Sequence, residues 1–85
     1  MARWERILAR MRSNPRGDWS ISDIRTVVGG IEGLELRVPR RGSHHTLAHP
    51  NLREILTIPA RRPIKPIYIR RFVALVDELT SGEMD

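Results

Sequence analysis

Apolar and polar positions follow two different periods along this chain, and the change of period divides it. Trp4, Ile7, Leu8 and Met11 fall at i, i+3, i+4 and i+7, the spacing of one helical face. Arg3, Arg6 and Arg10 occupy the rest of that helix, and Asn14-Pro15-Arg16-Gly17-Asp18 breaks it. Ser20, with Asp23 three residues later, reads as a capping-box-like start that puts an acid in the first turn of a second helix. Ile24, Val27, Val28 and Ile31 give that helix its apolar stripe. Gly29-Gly30 closes it, because glycine takes the left-handed cap conformation at little cost.

The period then shortens to two. Leu34, Leu36 and Val38 alternate with Glu35 and Arg37, which predicts a strand. Pro39 through Gly42 form a basic turn, and Thr46 to His49 form a second short strand. His49-Pro50-Asn51 is turn chemistry. Glu54 to Ile58 make a third strand, with Leu56 and Ile58 on one face. Pro59 to Pro63 is a basic loop, and Pro66 suits the first turn of a helix. Ile69, Phe72, Val73, Val76 and Leu79 form the buried stripe of that helix. Ser81-Gly82 ends it, and residues 80–85 read as a frayed tail. The expected order is α-α-β-β-β-α. Three strands joined by short turns make an antiparallel meander, with helices on one face and the other face free, an α+β domain of two layers. Side-chain parity sorts the histidines: if Leu47 points into the core, His45 and His49 lean the same way, while His44 and Thr46 point to the open side.

The length of 85 residues predicts a single domain over 1–85. A domain of this size buries only about 60% of the surface its unfolded chain exposes, so no large cofactor pocket and no cofactor is expected. Cysteine is absent, which excludes disulfides and thiolate metal sites. No apolar run approaches the roughly 20 residues of a membrane span. Met1-Ala2-Arg3-Trp4-Glu5-Arg6 lacks the apolar segment of a signal peptide, so a cytoplasmic location is expected.

Charge sharpens the picture by its distribution. The formal net charge is +5, and from Arg37 to Arg71 nine basic residues face one acid, Glu54. Fourteen of the fifteen basic residues are arginine, which forks onto phosphate and stacks on bases. A polyanion is the partner such a surface suits, and arginine enrichment from a GC-rich genome is the alternative source of the bias.

The densest chemistry lies in Arg40-Arg41-Gly42-Ser43-His44-His45, with Lys65 further on. Guanidinium pairs grip phosphate and an imidazole moves a proton near neutral pH. Metal-independent RNA cleavage needs a base for the 2′-hydroxyl proton, an acid for the leaving 5′-oxygen, and cations around the phosphorane between them. Parity selects His44 for the proton work, with Arg40, Arg41 and Lys65 around the phosphate. Ser43 can orient phosphate or imidazole, and Gly42 lets the backbone turn tightly beside a ligand. One histidine does not fill both proton roles, so His45, a lysine or water completes the set. The competing reading makes His44 a solvated strand-end residue. His45 and His49 read as half-buried rings hydrogen-bonded to backbone. A zinc site from His44, His45 and His49 would want a fourth ligand and supporting carboxylates, and Glu54 is the only nearby acid, so no metal is expected. Arg61, Arg62, Lys65, Arg70 and Arg71 either line a phosphate path or solubilise a face. Tyr68 either stacks on a base or caps the core edge, and Trp4 and Trp19 read as core.

With Gly42-Ser43-His44-His45, Leu47-x-His49-Pro50, Glu54-Ile55-Leu56-Thr57-Ile58-Pro59 and Ile64-Lys65-Pro66 in this order, the chain resembles the HicA toxin family, the small ribonucleases of HicA–HicB toxin–antitoxin pairs. The likeness covers roughly residues 20–79, and the helix within 1–14 is additional to the shortest members. The resemblance implies a fold like a double-stranded-RNA-binding domain, catalysis by the histidine of the Gly-Ser-His motif (here His44), mRNA as substrate and a HicB-type antitoxin as partner. The expected function is therefore a metal-independent endoribonuclease toxin. A non-catalytic RNA-binding module using the same basic surface is the alternative, and a domain whose basic face meets an acidic protein is a third reading.

Overall fold

The computed structural model describes residues 1–81. Its elements run α1 (Arg3–Ser13), α2 (Ile21–Val28), β1 (Glu35–Arg37), β2 (His44–Ala48), β3 (Leu56–Pro59) and α3 (Pro66–Ser81). The three strands form one antiparallel sheet in the order β1-β2-β3. This is the expected α+β architecture, α-α-β-β-β-α.

Each helix begins where its local chemistry dictates. The Asp23 carboxylate accepts from the Ser20 N–H at 2.9 Å and the Ser20 hydroxyl accepts from the Asp23 N–H at 3.4 Å. The box satisfies N–H groups that a first turn otherwise leaves without partners. At α1 the Glu5 carboxylate takes the Ala2 N–H at 2.8 Å. At α3 the Lys65 carbonyl accepts from the Tyr68 and Ile69 N–H groups at 3.0 and 3.3 Å, so Lys65 stands at the N-terminal cap.

The fully buried side chains include Met11 from α1, Ile24 and Val27 from α2, Leu47 and Ile58 from the sheet, and Ile69, Phe72 and Val76 from α3. α2 packs against β1 and α3 against β3, while α1 lies across α2 and α3 and touches no strand among the described residues. α1 thus thickens the helical layer away from the sheet. On the sheet, Leu36, Leu47 and Leu56 are paired in one row and His45 with Ile58 in the next. All of these face the helices. Arg37, Thr46 and Thr57 form a row on the opposite, uncovered face.

Several boundaries differ from expectation, with identifiable causes. β2 begins at His44 rather than Thr46, because the ladder with β3 extends to the pair His44–Pro59. β3 correspondingly spans Leu56–Pro59, leaving Arg53, Glu54 and Ile55 in the preceding loop. β1 stops at Arg37, and Val38, past the last pair and followed by Pro39, is 62% exposed. Ile31 is buried in the turn after α2 rather than within the helix. α3 continues through Thr80 and Ser81, whose hydroxyls donate to carbonyls one turn back. The expected end at Gly82 and the remainder of the frayed tail lie outside the described residues.

Gly29-Gly30 ends α2 for a different reason from the one the sequence suggests. Gly29 has φ −62° and neither residue is left-handed. Gly30 is required by proximity: a Cβ there would sit 2.3 Å from Cγ and Cδ1 of Trp4. The indole packs flat on the glycine and ties α1 to the end of α2. Gly30→Ala is expected to cost about 1–3 kcal/mol through overpacking, read as a lower urea midpoint. Trp4→Leu in the same chain is expected to recover part of that loss, since residues in contact couple.

Candidate active site

His44 opens β2 immediately after a turn that Gly42 makes possible. Gly42 has φ +81°, a conformation costly for any residue with a Cβ, and open space surrounds the position. The strand start is pinned at Ser43, whose carbonyl accepts from the Ala60 N–H at 2.7 Å and from the His45 ring Nδ1–H at 3.1 Å. The β2 ladder and the buried His45 ring together hold the backbone on either side of His44.

The three histidines have separated fates. His45 is 8% exposed and shares the covered face with Leu47. Its Nδ1 is committed to the Ser43 carbonyl. His49 is half-buried, and both of its nitrogens are engaged. Nδ1 accepts from the Asn51 N–H at 3.0 Å, so Nε2 carries the proton and donates to the Glu32 carbonyl at 3.0 Å. Gly33, at φ +81°, makes room for that ring, since a Cβ there would lie 2.9 Å from Nε2. Both rings are thus backbone-bonded, as parity and burial suggested. His44 is exposed on the free face. The ring hydrogen bonds among the described residues belong to His45 and His49. His45 is buried on the covered face, away from the open side that His44 occupies.

His44 stands at the rim of an open groove of about 1030 Å³. One wall is the outer edge of β3, with Leu56, Thr57 and Pro59, and the loop from Asn51 to Ile55. The other wall is one face of α3, where Tyr68, Arg71, Ala74, Leu75 and Glu78 follow helical spacing. β3 is an edge strand, so this wall also offers backbone donors and acceptors.

Two cations enter the groove with His44: Arg53 from the loop and Arg71 from α3. Neither has a carboxylate within ion-pair distance among the described residues, where the ion pairs are Arg12–Asp77, Arg37–Glu35 and Arg62–Asp18. Arg40, Arg41, Gly42 and Ser43 are all exposed in the turn leading into His44. Lys65 is exposed at the cap of α3. None of these residues is part of the groove's lining among the described residues. Sequence reasoning missed Arg53 altogether, because an arginine between Leu52 and Glu54 carries no local signal. Arg71 and Tyr68, read from the sequence as a phosphate-path or solubilising arginine and as a base-stacking or core-edge ring, both line the groove.

Arg62 is removed from the set of free phosphate ligands. Its Nε and Nη2 each lie 3.0 Å from the two Asp18 carboxylate oxygens, a bidentate pair. That hydrogen bonding holds the Asp18 carboxyl below the ordinary carboxylate range and raises the guanidinium further. Together with the Ile64 N–H to Trp19 carbonyl bond at 2.9 Å, the pair fastens the loop before α3 to the segment between α1 and α2. Trp19 is half-buried and its Nε1–H reaches the Asn14 carbonyl at 2.8 Å.

No group of three or more His, Cys, Asp or Glu side chains placed to hold a metal occurs among the described residues. No helix among them is long and apolar enough to cross a membrane. No family model, curated protein or solved structure matches the chain.

Proposed function

We propose that the chain is a metal-independent endoribonuclease of the HicA toxin type, acting on mRNA and held silent by a HicB-type antitoxin. The observation that carries this reading is an exposed imidazole, free of side-chain hydrogen bonds among the described residues, lining a groove that also receives Arg53 and Arg71. In the reaction, the 2′-oxygen attacks the adjacent phosphorus as a base takes its proton. The bond from phosphorus to the 5′-oxygen then breaks as an acid protonates that oxygen, leaving a 2′,3′-cyclic phosphate and a 5′-hydroxyl end. His44 supplies one of these proton transfers, and water or another side chain supplies the other. Imidazole is the side chain most often used for such transfers, as base or as acid.

Arg40, Arg41 and Lys65 supply positive charge around the phosphorane, which is more anionic than the starting diester and so gains more from them. Ser43 and Gly42 shape the turn that admits the phosphate. The antitoxin of this proposal covers His44 and the arginine surface with acidic groups. Expression of the chain alone in a bacterial host is expected to arrest growth, and His44→Ala is expected to relieve the arrest. Unimpaired growth with folded wild-type protein present would count against the toxin role.

A further inference from the structure

The groove carries its charged side chains unevenly along its length. β3 runs from Leu56, paired with Leu47, to Pro59, paired with His44. The loop carrying Arg53 and Glu54 precedes Leu56, so it lies at the end of the groove remote from His44. On α3, Glu78 lies seven residues beyond Arg71, about 10 Å along the axis at 1.5 Å per residue. Among the described residues, the carboxylates that line the groove are those of Glu54 and Glu78. The α3 wall before Glu78 instead offers Tyr68 and, one turn on, Arg71 on the same face. Tyr68 is half-buried, so its ring is held by packing, while Arg71 is exposed and unpaired among the described residues.

Resting on the ribonuclease reading, we propose that the groove takes unpaired RNA: Tyr68 stacks on a nucleobase beside the scissile step and Arg71 grips an adjacent phosphate. An aromatic face paired with a guanidinium is the combination that holds single strands, because every base has a π-face and every nucleotide a phosphate. Bases within a duplex are already stacked and leave no face for Tyr68. A duplex also holds the 2′-oxygen away from the line of attack, whereas a strand splayed over a ring can bring it into line. Stacking on Tyr68 therefore selects the strand and sets its geometry against His44.

Binding is measured on the His44→Ala chain in EDTA, so that no cutting intervenes, using a labelled mixed-sequence oligoribonucleotide alone and annealed to its complement. Tyr68→Leu is expected to weaken single-strand binding about tenfold with the salt dependence unchanged, and Tyr68→Phe, which keeps the ring, is expected to rescue it. Arg71→Ala, an exposed change that leaves the core intact, is expected to lower the slope of log affinity against log salt by about 0.7. The duplex is expected to bind more weakly and to be indifferent to Tyr68→Leu. Equal binding by Tyr68→Leu and the parent, an unaltered slope in Arg71→Ala, or preference for the duplex would each overturn the assignment. A strand that does not bind the groove at all would also overturn it and make the groove a protein-docking face. The ribonuclease reading fails separately: a wild type that binds as described but never cuts refutes that reading alone.

Discussion

Replacing His44 with alanine is expected to abolish RNA cleavage while leaving both the fold and the affinity for RNA in place. The ring is exposed on the free face of the sheet. Its loss opens no cavity and leaves no buried donor or acceptor without a partner. Its neighbours are positioned by other groups, namely the Ser43 carbonyl, the Ala60 N–H and the His45 ring. The chemical loss is of a different order, since a positioned proton-transfer group contributes about 10²–10⁴-fold. Single-turnover cleavage under saturating enzyme measures that ratio, and thermal unfolding shows that the fold is retained. A parallel loss of stability would mean that His44 is a packing residue after all. His45→Ala is the contrasting change, because it removes a buried ring and the hydrogen bond that holds Ser43.

The second large effect is on stability. Phe72 is the largest of the fully buried side chains, at 0% exposure, and lies midway along α3. Phe72→Ala removes an aromatic side chain from a close-packed interior and is expected to cost about 3–5 kcal/mol. At roughly 0.05–0.15 kcal/mol per residue, a domain of this length has only about 4–13 kcal/mol in total. The variant is therefore expected to be largely unfolded at growth temperature, or to show a urea midpoint lowered by about a quarter or more. Phe72→Leu, which keeps most of the buried area, is expected to lose far less. A small loss in Phe72→Ala would show that α3 is not the keystone of the packing. α3 also forms one wall of the groove, so its integrity is a precondition for any activity.

Much of this was legible in the chain. The helix starts follow from Ser20 with Asp23 and from Pro66, because capping is local chemistry between residues three or four apart. The opposite fates of His44 and His45 follow from the period of a strand once Leu47 is placed inside. What escaped was whatever depends on partners distant in sequence. The first pair of the β2–β3 ladder carries His44 into a strand rather than a turn, and that depends on Pro59. Gly30 is dictated by Trp4, twenty-six residues earlier. Arg62 faces Asp18 across the fold, which no nearest-neighbour pattern reveals. The groove is a product of the edge of β3 meeting one face of α3, so its cations come from elements that sequence reasoning treated separately. Arg40 and Arg41 adjoin His44 along the chain, whereas the arginines in the groove's own lining are Arg53 and Arg71, which the fold brings to it from a loop and a helix.

The central claim is that an exposed imidazole transfers a proton during metal-free cleavage of RNA. It is tested most directly by incubating the purified chain with a defined RNA strand in EDTA and identifying the new ends. The account predicts 5′-hydroxyl and 2′,3′-cyclic phosphate ends from the wild type, none from His44→Ala, and none where the scissile nucleotide lacks its 2′-hydroxyl. An intact strand after prolonged incubation with the folded wild type, or equal cleavage by His44→Ala, would contradict it.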